Sequence, residues 1–174
     1  MDALDARFGD QRVLGGICHI GVTMTPEGEI RHLNPLQVLT IGDRSGEPSA
    51  AGTAIAALLK ESPVKVVESD SIALNMWEKF VMLTSMAAMT CLMRAPVGDI
   101  MEAAEGEAIT LETLNECIRV ADASGYAPRE KILEQTRALQ TERGSRFSAS
   151  MLRDIEKGGL IEGQHIVGDM VTRA

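Results

Sequence analysis

Hydrophobic and polar positions follow two different spacings along this chain. Residues 13–23 (VLGGICHIGVT) are rich in Val, Ile and Gly and read as a strand. Pro26-Glu27-Gly28 is a turn signal. Residues 29–33 and 37–41 follow as short β-like runs, divided by Asn34-Pro35 and closed by Gly42-Asp43. Together these runs predict a small β-meander. Gly15-Gly16 inside the first run predicts a bulge or a close backbone approach. Residues 45–49 then form a linker, Ala50–Lys60 has helical composition, and residues 64–68 are one more short strand.

From Ser71 the spacing becomes helical. Ser69-Asp70-Ser71 offers capping oxygens. Ile72–Met93 carries apolar residues on nearly every face, which predicts a buried central helix. Arg94-Ala95-Pro96 ends it, because proline cannot continue the hydrogen-bond ladder. Helices are expected over residues 97–104, 111–124 and 129–140, with Thr110 capping the second and Gly125 stopping it. Ser148 or Ser150 can cap a further helix that ends at Gly158-Gly159, and a last one is expected from near Ile161 onward. The expected fold class is α+β, mainly α. Residues 1–68 form a β-rich segment and residues 69–174 a helical domain.

Composition agrees with a helical core. Aromatic residues are only 3% of the chain and methionines number ten, so the interior must be built from Ala, Leu, Ile, Val and adaptable Met. The net charge of −8 argues against nucleic acid, whose binders need a basic face to displace counterions. Cys18, Cys91 and Cys117 are odd in number and widely spaced, which fits buried thiols in a reducing cytoplasm. The acidic start, MDALDARFGD, has no apolar signal-peptide region. The longest apolar run, residues 80–93, is interrupted by Thr84, Ser85 and Thr90. It falls short of the roughly 20 residues of a membrane span.

Lys79 is the residue most suggestive of chemistry. It lies inside the central helix, in NMWEKFVML, where little exposed face is on offer. Burying an ammonium lowers its pKa, and a lysine so tuned can give or take a proton near neutral pH. The rival reading is a side chain that snorkels to the surface. Glu162 reads as a first-turn acid complementing a helix dipole, and Ser150 as a cap. His19, His32 and His165 make no metal-ligand spacing. There is no G-x-G-x-x-G, P-loop or G-x-S-x-G segment.

Four stretches resemble the ketopantoate reductase (2-dehydropantoate 2-reductase) family, in the family's order. RVLGGICHIGVTMTPEGEIRHL is similar to the strands that follow the family's nucleotide-binding domain. LNMWEKFVML is similar to its W-x-K helix, and SASMLRDIEKGGLIE to its S-S-M-x-x-D-x-x-x-G-x-x-x-E signature. The hydrophobic helix after that glutamate completes the set. The resemblance implies hydride transfer from NADPH to a 2-oxo acid, in pantothenate biosynthesis, within a cytoplasmic dimer. It implies a helical domain like the C-terminal domain of 6-phosphogluconate dehydrogenase, set behind a Rossmann domain. By motif, Lys79 would be the catalytic proton donor and Glu162 would hold the lysine network. Ser150 and Asn75 would bind substrate. Two departures bear on substrate: Leu83 and Ala87 stand where the family usually has asparagines, and Ala149 replaces the first serine. The family's cofactor loop is not found in this chain, so activity by the chain alone is not expected. Two other readings stand beside this one: a helical dimerisation or interaction module with open strand edges, and one chain of a split reductase.

Overall fold

The computed structural model describes residues 2–174. They form two compact units, one running to Met76 and the other spanning Trp77–Ala174.

The first unit opens with helix α1 (Asp2–Phe8) and a single 3-10 turn (Asp10–Arg12), neither of which the hydrophobic pattern predicts. Arg44 anchors this segment. Its guanidinium donates to both carboxylate oxygens of Asp5, at 2.9 and 2.6 Å, and to the carbonyls of Val13 and Asp10, at 3.0 and 3.1 Å. Such a bidentate arrangement is strong and directional, but its partners are too far apart in sequence to leave a local signal.

Strands β1 (Gly15–Met24) and β2 (Ile30–Gly42) pair as an antiparallel hairpin. Its turn is closed by the Gly28 amide donating to the Thr25 carbonyl at 3.0 Å, with Gly28 at φ +85°. The two runs expected on either side of Asn34-Pro35 are one continuous strand. A register shift between Ile20 and Val22 absorbs the proline. There the Asn34 side chain lies across Gly21, where an added Cβ would stand 2.6 Å from Asn34 Nδ2. Asn34 Oδ1 also accepts from the Leu36 amide at 3.0 Å. A proline, lacking an N–H, is tolerated at such a bulge.

Helix α2 (Ala50–Lys60) starts at Ser49, whose hydroxyl accepts from the Gly52 amide at 3.0 Å. It returns the chain to β3 (Lys65–Glu68), which pairs with β2 in parallel. The sheet order is β1-β2-β3. It is therefore a hairpin plus a β-α-β crossover, where the pattern of short runs suggested a meander. Gly15 is the close approach that the glycine pair predicts. A Cβ there would stand 2.8 Å from the Ile72 side chain.

Helix α3 (Ile72–Met93) begins in the first unit, continues into the second, and has the predicted bounds. The second unit continues with α4 (Val97–Glu102), α5 (Gly106–Ala123), α6 (Glu130–Gln140) and α7 (Ser150–Glu156). A π turn (Gln164–Gly168) then leads into α8 (Asp169–Arg173). Helix α5 starts a full turn earlier than expected. Thr110 is not its cap but a buried interior residue, donating to the Gly106 carbonyl at 2.8 Å. The start is fixed by Gly106, where any Cβ would run into the Ile100 carbonyl oxygen. Gly125 does terminate α5, at φ +84°.

Two apolar clusters form the interior of this unit. Val81, Leu114, Cys117, Ala121 and Met170 make one, with Trp77 and Phe80 packed against it. Met86, Met89, Val97, Ile100 and Met101 make the other. The second is largely methionine, as the composition implies. Among the described residues no helix is long and apolar enough to cross a membrane.

Candidate functional site

Helix α3 is locked in rotation by the residues around Lys79. Trp77 stacks on Tyr126 with ring centroids 5.7 Å apart and meets Phe80 edge-on at 5.7 Å. The Arg173 guanidinium lies over the Trp77 ring at 5.6 Å, which ties α8 to the same spot. Glu78 is only 5% exposed. Its carboxylate accepts from the Arg129 backbone amide at 3.0 Å, from Nε at 2.8 Å and from Nη2 at 2.5 Å. Val81 is sealed in the core. With about 100° between successive residues, these neighbours commit one side of the helix to the interior. Lys79 points away from that side and is half-buried. Its burial is intermediate between the two sequence readings, the enclosed ammonium and the side chain that snorkels to the surface.

The other candidates fall on the C-terminal segments. Ser150 is exposed and is the first helical residue of α7, not its cap; Ala149 occupies the capping position without a side-chain bond. Glu162 is exposed, and its carbonyl accepts from the His165 and Ile166 amides at 3.0 and 2.9 Å. It precedes the π turn, and the last helical segment begins two to three residues beyond Ile161, near where the sequence places it. The Ser150 and Glu162 segments are adjacent: an added Cβ on Gly163 would stand 3.9 Å from Met151 Sδ. The α7 start is also docked on α3, where the Ala149 amide donates to Thr90 Oγ1 at 3.4 Å. Asn75 belongs to the first unit, is half-buried, and accepts the Ser69 hydroxyl at 2.5 Å.

The cysteines are not all buried as the sequence predicts. Cys18 is exposed on β1. Cys91 is half-buried, and desolvation raises its pKa, partly offset by a hydrogen bond from Thr90. Cys117 is buried in the core, and desolvation pushes its thiol up to about 11.

Sequence reasoning passed over Glu78 and Arg129. The signal for Glu78 was present, because an acid in a helix apolar all round must be paired for the same reason that singled out Lys79. Its partner lies 51 residues away and could not be read from spacing.

A nicotinamide dinucleotide needs helix N-terminal amides, freed by a glycine-rich turn, for its phosphates. The turn from β2 into α2 does not provide them. Asp43 Oδ2 accepts the Ser49 amide at 2.8 Å, and the Ser49 hydroxyl takes the Gly52 amide. A cavity of about 330 Å³ beside this turn is walled by Asp43, Glu47, Glu68 and Asp70. Acids there repel phosphate, so these residues do not fit the cofactor.

The fold is that of the C-terminal part of an oxidoreductase. It superposes on the crystal structure of 2-dehydropantoate 2-reductase from Methylococcus capsulatus with a TM-score of 0.81 and 28% identity, covering 98% of this chain and 54% of that one. A 2-dehydropantoate 2-reductase of Halobacterium salinarum is 28% identical over 93% of this chain and 53% of its own. An uncharacterised oxidoreductase of Bacillus subtilis is 27% identical over 99% of this chain and 57% of its own. Residues 71–174 match the model of the ketopantoate reductase PanE/ApbA C-terminal family, and the chain belongs to that family. It spans about half the length of the curated relatives it matches.

Proposed function

We propose that this chain is the substrate-binding and proton-donating portion of a reductase acting on a 2-oxo acid. Residues 69–174 would form that portion. The observation that carries the reading is the setting of Lys79. It sits half-buried on the side of a helix opposite the one held by Trp77, Glu78 and Val81, within the stretch that the family model matches. A lysine held this way can deliver a proton to the substrate's carbonyl oxygen as it becomes an alkoxide. Glu162 would orient the lysine and supply charge balance, and Ser150 and Asn75 would donate to the carboxylate or carbonyl oxygens.

Under this reading NADPH is held outside the described residues, since the β2–α2 turn does not fit its phosphates. The chain alone would then be inactive. The test mixes the chain with NADPH and a panel of 2-oxo acids, with and without the nucleotide-binding portion of the Bacillus subtilis relative supplied as a separate protein. NADPH oxidation is expected only in the mixture. Steady oxidation by the chain alone would remove the claim of inactivity, and none in the mixture would count against the reductase reading.

A second reading, a dimerisation module, is favoured by the exposed apolar side chains of the hairpin, among them Met24, Ile30 and Leu36. Light scattering at high concentration distinguishes it: a monomer throughout would discard it.

A further inference from the structure

Helix α6 carries one inward stripe. Arg129, Leu133, Thr136 and Gln140 recur at helical spacing, and the last three are buried, with Gln140 only 1% exposed. Both ends of the stripe are bonded to α3. At one end Arg129 holds the Glu78 carboxylate. At the other, Gln140 Nε2 donates to the Met82 carbonyl at 3.0 Å and to Ser85 Oγ at 2.8 Å. Lys79 lies in the α3 segment between these two anchors. Gln140 is an expensive residue for its place. Its Oε1 has no hydrogen-bond partner among the described residues, although the side chain is buried. An unsatisfied buried oxygen lowers stability. Nor does the Ser85 hydroxyl depend on the glutamine, since it donates to the Val81 carbonyl at 2.9 Å. A methionine of similar volume would therefore hold the fold as well or better.

We infer that Gln140 is a positioning residue for Lys79: together with Arg129 it makes α6 a splint that fixes the α3 segment carrying the proton donor. The inference rests on the function proposed above and deepens it. Apolar packing alone fixes this segment poorly. Past Ser85 the helix is set among Met86, Met89 and Met101, and methionine adapts to many packings. Hydrogen bonds supply the missing register, as a buried polar residue does between paired helices. The two bonds of one amide, to a backbone carbonyl and to a hydroxyl three residues on, are met together by one rotation of α3. The Glu78 clamp fixes the other end. Proton transfer needs the acid about 3 Å from the developing alkoxide, and a shift of about 1 Å can cost about 100-fold in rate. Loss of one anchor out of two should cost less, about tenfold. The loss should fall on kcat, because ground-state binding through Ser150 and Asn75 does not pass through Gln140.

The experiment measures NADPH oxidation with 4-methyl-2-oxopentanoate by the whole chain mixed with the nucleotide-binding portion of the Bacillus subtilis relative. Gln140→Met should lower kcat about tenfold and leave KM within about twofold of wild type, while its melting temperature stays level or rises. Thr136→Val is the control. It removes a hydroxyl from the same buried stripe and leaves both anchors in place, so its kcat should match wild type. An unchanged kcat in Gln140→Met overturns the inference. So does a marked fall in its melting temperature, which would make Gln140 a stability residue, or an equal loss of kcat in Thr136→Val, which would mean that any loosening of α6 suffices. Lys79→Met separates the two claims. If it keeps the wild-type rate, or if the wild-type mixture does not turn over, the proposed function fails and takes the inference with it. If Lys79→Met is slow and Gln140→Met is not, the inference fails and the proposed function stands.

Discussion

Helix α3 and the β1–β2 hairpin are both strongly apolar in sequence, yet the chain treats them differently. From Val81 to Thr90 the helix is almost entirely buried. Val81, Met86 and Met89 are sealed by residues of α4, α5 and α8 into two clusters within the second unit. The distal half of the hairpin is not sealed. Met24 is 72% exposed and Ile30 74%, and Ile20, Val22, Leu33 and Leu36 are also open. Apolar area gives stability only where it is withdrawn from water, at about 25 cal/mol per Å². The second unit therefore carries its own core, while the distal half of the hairpin contributes surface; its base buries Ile17 and Ile41. The difference also shows why a binding function is sought on α3, where a polar residue is costly and must be explained, and not on the hairpin, where leucine and lysine are equally cheap.

Substitutions can break that contrast. The largest effect is expected in the core of the second unit. Leu114→Ala should cost about 3 kcal/mol, read as a lowered urea midpoint, because Leu114 is fully buried against Val81 and Met170. Arg129→Ala should cost nearly as much, about 2–3 kcal/mol, since it removes the Nε and Nη2 donors from the buried Glu78 carboxylate. The double variant Glu78→Gln/Arg129→Ala should recover part of that loss. A full additive loss would mean the two side chains do not act as a pair.

A pH dependence sharpens the same contrast. The Cys117 thiol is raised by burial from an ordinary value near 9 to about 11. Between those values the unfolded chain releases a proton that the folded chain keeps. Stability from this group is thus present below pH 9 and lost as pH rises toward 11. Urea midpoints of wild type should fall more steeply than those of Cys117→Ala over that window. Equal slopes would show that the thiol is not desolvated. The smallest effect belongs to the hairpin. Ile30→Thr should change stability by less than about 0.5 kcal/mol, because the side chain is already in water. A larger loss would mean that something covers the hairpin in solution.

Much of this molecule was legible in its residues. Helices α2 and α3 have the predicted bounds because their signals are local: helical composition after a linker, apolar residues on nearly every face, and a proline stop. The misreadings share a physical cause. Thr110 looked like a cap, but Gly106 starts α5 because of a carbonyl on α4. Asn34-Pro35 looked like a break, but Gly21 on the facing strand makes room for it. Helix α1 depends on Arg44, which lies far along the chain. In each case the deciding atom belongs to another element. The candidate site follows the same rule. Lys79 is singled out as a candidate from its own helix, whereas the Arg129 clamp on the neighbouring Glu78 requires the fold.

Lys79 carries the proposed proton transfer. The most direct measurement is the rate of NADPH oxidation with 4-methyl-2-oxopentanoate when this chain is mixed with the nucleotide-binding portion of a relative, comparing wild type with Lys79→Met. Loss of a general acid should lower the rate at least about 100-fold, with the melting temperature unchanged. A variant that retains the wild-type rate would contradict the assignment of Lys79 as the proton donor.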